Sequence, residues 1–470
     1  MLVSDTHLKK KGSVNLNNLS YPIQKTIMDE INGIFAQNVL ADISEILGLY
    51  SYYDGSGQVW SGNGNLDYTP TRMVTNFIKK IIKKEARFMF SRTPEIRIES
   101  ATSPDAAAII QDYIRKVLSD NEFAKKLTMA GRDCFIGRRV ALKLWCGADG
   151  VEIMFRPSFE FIYDTEFDES DRMKKIVFFY GLNDEKEKKD QRFWKQKFEL
   201  EGGRCYITEA IYDGNGKIKE IIHDFNDTGL DFIPAYIIVN DPLTGDLKGE
   251  SDVAELISNQ DRYNRLKSDD ADTLMFHMFP VTIAKNASGD CLDNMRIAPN
   301  AVIDLQTDQA ADGDAAIEKL ESNFSYSEAY ENSINRVKSD MYDIMEVPYI
   351  TTEQLSGIVQ SGKAMKALYW ELICKCEERW CAWDSAIKWL VEAILKINSV
   401  YGYARLPEAD YTIKIEHLYP IMEDEEAERI TDLNEVNAKV RSRRNYIEKW
   451  NISTDGKAEI EAIAEENMID

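Results

Sequence analysis

Long apolar runs are missing from this chain: no stretch approaches the roughly 18 consecutive apolar residues of a membrane-spanning helix, so no span is predicted. Metal and redox patterns are missing as well. The 7 cysteines are scattered, no Cys-x-x-Cys pair occurs, and Cys374, Cys376 and Cys381 fall inside one predicted helix, so reduced, buried thiols are expected. The 4 histidines, His7, His223, His277 and His417, lie far apart, and none stands at ligand spacing to another His or Cys, which argues against a zinc site. Positive charge is in deficit. With 57 Lys and Arg against 80 Asp and Glu, the net charge is −23, so the surface as a whole repels a polyanion and a tight duplex-DNA binder is not expected. DNA as a passing cargo remains compatible, because an acidic wall does not hold what slides along it. Lys9, Lys10 and Lys11 are not followed by an apolar stretch, so no secretory signal is expected and the chain should fold in the cytoplasm of the cell that makes it.

What is present is material for a large mixed fold. At 470 residues and 44% hydrophobic content the chain can bury two or three cores, or build one extended subunit of several parts. Ser20-Tyr21-Pro22 predicts an early helix start, and the glycine-rich stretch 54–69 a loop, since it lacks the strand and glycine spacing of a phosphate cradle. Over 72–90, Val74, Phe77, Ile78, Ile81, Ile82 and Met89 recur at helical spacing, with Lys79, Lys80, Lys83 and Lys84 on the other side. Those lysines read as a solvated helix face, with nucleic-acid contact as the alternative. Ile96 and Ile98 predict a short strand, and Ser103-Pro104-Asp105 another helix start. Residues 140–240 change character: β-branched or alternating runs at 140–145, 151–155, 176–180, 206–212, 218–222 and 232–239, separated by turn signals, predict a mostly antiparallel β-region.

Helix returns after Asp241-Pro242. Residues 251–278 predict a helix of about 42 Å, with Val253, Leu256, Ile257, Tyr263, Leu266, Leu274, Met275 and Met278 on its buried side. A second helix is expected over 325–346, where Tyr330, Ile334, Val337, Met341 and Ile344 alternate in steps of four and three, the stripe of one helix packed along another. Between them lies an inserted lobe with strand-like pieces at 281–284 and 301–305. Residues 363–398 contain neither Gly nor Pro and predict a helix of about 54 Å. A strand is expected at 411–416, and the acidic run 423–426 begins a further helix. In Arg441-Ser442-Arg443-Arg444, Ser442 reads as a helix cap and the arginines as offsets to nearby acids.

Gly357-Ile358-Val359-Gln360-Ser361-Gly362-Lys363-Ala364 falls one residue short of the phosphate-loop pattern G-x-x-x-x-G-K-[ST]. Ala364 replaces the hydroxyl that ligates magnesium, and a predicted helix and Pro348 precede the motif where a buried strand is needed. Gly-x-Ser-x-Gly, His-Glu-x-x-His and the Rossmann fingerprint are absent, and paired acids are too abundant to single out a general acid and base. No enzyme, catalytic residue, metal or cofactor is predicted. A P-loop ATPase of a packaging machine is the alternative that the near-motif keeps open.

Several stretches carry a family resemblance: Tyr52-Tyr53-Asp54-Gly55, NFIKKIIKKEARFMFSRTP at 76–94, FEFIYD at 159–164, IPAYIIVNDPLTGDLKGESD at 233–252, NQDRYNRLKSD at 259–269, and Val347-Pro348 followed by Ser361-Gly362-Lys363-Ala364. Together they resemble the portal proteins of tailed bacteriophages, in the branch common in siphoviruses of Gram-positive hosts. The resemblance implies an α+β, mainly helical portal fold. Its parts would be a wing with a β-rich region at 1–241, stem helices at 251–278 and 325–346, and an inserted α/β clip at 279–324. A tunnel loop at 347–362, a long helix with a return strand at 363–420 and a small helical crown at 421–470 would follow.

The resemblance further implies a dodecameric ring at one capsid vertex, the channel for DNA packaging and ejection, located in the virion after assembly in the host cytoplasm. The implied partners are further copies of the chain, duplex DNA, the terminase large subunit, the major capsid and scaffolding proteins and a head-tail adaptor, with no membrane and no cofactor. Another ring-forming connector or capsid component is the further alternative. Channel contacts are implied for the tunnel-loop residues Thr351, Thr352, Glu353, Gln354, Leu355, Ser356, Gly357, Ile358, Val359, Gln360 and Ser361. Stem residues Arg262, Arg265, Lys267, Arg336 and Lys338 could touch phosphates weakly if they face inward. Pairing within the stem, with Asp261, Asp269 or Asp340, is their competing role.

Overall fold

The computed structural model describes residues 36–60, 68–165, 172–183, 187, 189–214, 216–244, 248–278, 282–286, 307, 313–319, 326–349, 362–420, 425–450 and 459–460. The expected helix start near Ser20, the strand piece at 301–305 and residues 351–361 of the expected tunnel loop lie outside them. With 49% helix and 24% strand the chain is of the expected α+β class.

In chain order the first elements are α1 (Ala36–Asp54), α2 (Phe77–Phe90), β1 (Glu95–Glu99), α3 (Pro104–Asp120), α4 (Phe123–Gly137), β2 (Arg139–Cys146), β3 (Val151–Pro157), β4 (Phe161–Thr165), β5 (Met173–Gly181), β6 (Arg192–Glu201), β7 (Arg204–Asp213), β8 (Ile218–Asp227) and β9 (Ala235–Val239). They are followed by α5 (Asp252–Met278), β10 (Thr282–Lys285), β11 (Ala316–Lys319), α6 (Ser327–Ile344), α7 (Gly362–Leu368), α8 (Trp370–Tyr401), β12 (Thr412–Glu416), α9 (Glu425–Asn437) and α10 (Arg443–Lys449). The chain forms two compact units. One gathers Met1–Lys84, Met129–Met345 and Trp389–Arg405, the other Glu85–Thr128, Glu346–Lys388 and Leu406–Asp470.

The first unit holds the β-region as two antiparallel sheets, ordered β3-β2-β9 and β4-β5-β6-β7-β8. Glu201 pairs with Arg204, so β6 and β7 are joined by Gly202-Gly203 alone. Both glycines have positive φ, +59° and +80°, which a two-residue hairpin turn of the right twist demands. Strand β6 has no counterpart among the runs read from the sequence. Its hidden side carries Gln196 between Trp194 and Phe198, all at most 1% exposed, and the neighbouring lysines further blur the alternation. Gln196 Nε2 and Trp194 Nε1 both donate to the buried Glu209 carboxylate, at 2.9 and 2.8 Å, so the polar residue is satisfied inside. Lys143 of β2, also fully buried, sets its Nζ 4.9 Å from the Trp194 ring centroid and 5.0 Å from that of Phe178, a desolvated cation–π site. From α1, Ile43 and Ile46 pack on Phe159, Ile162, Val177 and Phe179.

In the second unit, β1 and β12 pair antiparallel from Glu95 with Glu416 to Glu99 with Thr412. Gln111 of α3 clips this strand pair, receiving the Ile98 N–H at 2.6 Å and donating to the Ile96 carbonyl at 2.9 Å. Aromatic rings fill the core: Phe90 meets Trp383 and Trp380 edge-on at 4.8 and 5.2 Å, and Trp380 stacks on His417 at 4.1 Å. The helix expected over 363–398 is α7 and α8, which abut at Tyr369. Helical bonding runs through the joint, from the Tyr369 N–H to the Met365 carbonyl at 3.1 Å and from the Ile373 N–H to Tyr369 at 2.9 Å. At the C-terminal end, Ser442 Oγ receives the Asn445 N–H at 3.2 Å, the cap expected of it. Arg441, Lys449 and the Trp450 indole converge on the Asp432 carboxylate at 2.8, 2.8 and 3.0 Å, and hold its pKa below the usual carboxylate value.

Candidate nucleic-acid interface

The expected stem begins at a tightly pinned turn. Gly249 has φ +73°, and a Cβ there would stand 2.5 Å from the Asn240 carbonyl oxygen and 2.8 Å from that of Arg138, so only glycine fits. Asn240 Nδ2 donates to the Glu250 carbonyl at 2.9 Å and to Asp252 at 3.2 Å. Ser251 Oγ donates to the Ile136 carbonyl at 2.6 Å and receives the Val253 N–H at 3.2 Å. The GESD tetrapeptide at 249–252 thus anchors α5 to the end of α4 and the strand β9 exit.

Helix α5 runs 27 residues, about 40 Å, and packs against α6. On α6, Ile334, Val337, Met341 and Tyr342 are buried, whereas Ile344, expected in the stripe, is 44% exposed. The larger departure is on α5. Val253, Leu256 and Tyr263 are buried as expected, but Leu274, Met275 and Met278 are exposed, and the hidden side is completed by Gln260, Asn264, Ser268 and Asp272.

These four polar residues, one every fourth position, form a ladder for the extended segment before α2. Gln260 Oε1 receives the Phe77 N–H at 2.8 Å, Asn264 Oδ1 that of Thr75 at 2.9 Å, Ser268 Oγ that of Met73 at 3.0 Å, and the Asp272 carboxylate that of Thr71 at 3.1 Å. The periods match. Four helical residues advance about 6.0 Å and two extended residues about 6.6 Å, so register holds over three steps. Each rung satisfies a backbone donor that the helix would otherwise bury. A search for apolar periodicity passes over this pattern; the signal in the sequence is a run of short polar residues at i, i+4, i+8 and i+12.

Of the five stem cations, Arg262, Arg265 and Arg336 are exposed, and Lys267 and Lys338 half-buried. Among the described residues, Arg262, Arg265, Lys267 and Arg336 make no ion pair; Arg265 acts on Asp261 only through its field, which offsets part of the upward push of burial on that carboxyl. At about 100° per residue, Arg262 and Arg265 share a face, whereas Lys267 lies about 160° from Arg265, as Lys338 does from Arg336. The five therefore do not form one stripe. Lys338 Nζ stands 5.8 Å from the Phe77 ring centroid, turned toward α2. The tunnel-loop candidates 351–361 lie outside the described residues. Beyond them, Gly362 opens α7, as a glycine turn and helix start would have it. Only 282–286, 307 and 313–319 of the expected clip are described, and there β10 pairs antiparallel with β11. No group of three or more His, Cys, Asp or Glu among the described residues could hold a metal ion.

No curated protein matches the chain. Among solved structures, a chain of one described as "Virion of native gene transfer agent (GTA) particle" covers 84% of this chain and 94% of its own, at 11% identity and a TM-score of 0.40. The sequence profile described as "Phage portal protein, SPP1 Gp6-like" matches residues 17–468. Its members are structural proteins, not enzymes. Spanning nearly the whole of that profile match, the chain belongs to the SPP1 Gp6-like phage portal protein family.

Proposed function

We propose that this chain is the ring-forming subunit of the portal vertex of a tailed bacteriophage of the siphovirus type found in Gram-positive hosts. Twelve copies form a ring at one capsid vertex of the virion, and duplex DNA passes through it during packaging and ejection. The observation that carries this reading is the family match over residues 17–468. Charge supports it: a net −23 per subunit gives a ring a single-sign field that keeps DNA off its walls. The wing is 1–241, the stem α5 with α6, the clip 279–324, the tunnel loop 347–362 and the crown 421–470. The clip end receives the terminase large subunit, which supplies the motor, and later a head-tail adaptor; major capsid and scaffolding proteins surround the wing.

In this reading the loop 351–361 touches DNA. It contains no Lys or Arg, so contact comes from Gln354, Gln360, the hydroxyls and Leu355, Ile358 and Val359, and is weak and independent of sequence. A sliding seal needs that weakness. Gln354→Lys with Gln360→Lys adds phosphate-pairing charge and is expected to leave rings intact while cutting DNA packaged per capsid several-fold. Unchanged packaging and DNA retention, with rings formed, would remove the loop from the channel.

A further inference from the structure

Helix α2 concentrates positive charge on one side. Lys80, Lys83 and Lys84 stand at i, i+3 and i+4, a spacing that puts side chains on one helix face with Cβ atoms about 5–6 Å apart. A fourth cation joins them from α6. Lys338 Nζ and Lys80 Nζ each lie 5.8 Å from the centroid of the same Phe77 ring, so the two amines are within twice that distance of one another. Lys84 Nζ lies 5.8 Å from the Tyr342 ring, and that ring is 6.4 Å from Phe77. All four residues belong to the first unit. The aromatic floor fixes the amines by cation–π attraction without neutralising them.

The strip is not balanced by acids of its own. The adjacent Lys79 has Asp54 at 4.0 Å, whereas Lys80 and Lys83 make no ion pair among the described residues. Burial, and next the charge of Lys80, lower the pKa of Lys84, so the amines repel one another. A chain with 23 excess negative charges has carboxylates to spare, and these lysines nevertheless stand together. A single small anion would engage one or two of them; a row along a straight helix suits an extended polyanion.

We infer that Lys80, Lys83, Lys84 and Lys338 form a basic strip that binds backbone phosphates of duplex DNA, separately from the stem cations and the tunnel loop. The choice of DNA as the polyanion rests on the portal reading. Such contacts are independent of sequence, and their affinity falls with salt in proportion to the phosphates neutralised.

The test is fluorescence anisotropy of the purified full chain with two duplexes of unrelated sequence across a salt series. Lys80→Gln, Lys83→Gln and Lys84→Gln together are expected to weaken binding to both duplexes alike and to reduce the slope of log affinity against log salt by about 2–3. Removing three exposed lysines elsewhere, Lys116, Lys174 and Lys388, as glutamines should leave that slope unchanged, and Lys80→Arg with Lys83→Arg should retain binding. If the triple variant does not fold, Lys80→Gln with Lys83→Gln spares the half-buried Lys84, and a slope reduction of about 1–2 is expected. Equal binding by strip variant and wild type, or no wild-type binding at all, overturns the inference. Rings are scored separately by electron microscopy, so failure of the portal reading is a distinct result. Loss of rings with unchanged DNA binding would assign the strip to an acidic surface of a second copy and overturn its assignment to DNA.

Discussion

Glu85→Ala is expected to destabilise the second unit by about 3–5 kcal/mol, the range for removing one partner of a buried ion pair. Glu85 is 1% exposed; its Oε1 accepts Arg379 Nη1 at 2.7 Å and stands 3.2 Å from Lys375 Nζ. The carboxylate is thus the shared counter-charge of two cations, and without it their desolvation cost stays while the attraction is gone. The site's polarity is already felt nearby: burial, followed by the charge of Glu85, pushes the Cys376 thiol up to about 12, so it remains protonated. Lys375, with 13% of its side chain exposed, can turn its amine to water along its flexible stem. Arg379, at 5%, has less freedom. Replacing both members of the close pair, Glu85→Leu with Arg379→Met, is therefore expected to recover most of the loss. Denaturant midpoints of the wild type and the two variants decide the matter. A single variant that unfolds with the wild type, or a double variant no more stable than the single, would show that the pair does not hold this core.

Asn264→Leu is expected to cost about 2–5 kcal/mol, because it orphans two groups and each unsatisfied buried polar group costs about 1–3 kcal/mol. Asn264, 1% exposed, accepts the Thr75 N–H at 2.9 Å and donates to Gln58 Oε1 at 2.7 Å. Leucine matches its size and leaves both unpaired. The loss should be local, freeing the extended segment 71–77 from α5, so amide exchange of Thr71, Met73, Thr75 and Phe77 should accelerate together. Ser268→Ala is the milder comparison, at about 0.5–1.5 kcal/mol, since the freed Met73 amide belongs to an exposed residue that water reaches. If the Asn264 variant melts with the wild type and its exchange pattern is unchanged, the ladder does not bind the segment.

What could be read in the sequence, and what could not, follows from the range of the forces involved. Local chemistry was legible. The turn at Asp241-Pro242 and the GESD tetrapeptide announced the start of α5, Ser442 its cap, and the β-branched runs five of the β-region strands. Features set by distant partners were not. Strand β6 hides Gln196 because Glu209, thirteen residues on, receives its amide. The buried side of α5 is polar because a segment nearly two hundred residues earlier needs its hydrogen bonds. The pairing of β1 with β12 joins residues more than three hundred apart, which no periodicity encodes. For the candidate interface, counting basic residues located the stem cations but not their faces; helical phase separates Arg265 from Lys267. The same count read Lys80, Lys83 and Lys84 as a solvated face, because it could not foresee that Lys338 of α6 would meet them over Phe77.

The central claim, that this chain builds a portal ring, is tested most directly by electron microscopy of the purified protein together with its native mass. The account predicts closed rings with an axial hole and radial projections, at twelve times the 53.8 kDa subunit mass. Compact monomers persisting at high concentration, with no rings in the images, would contradict it.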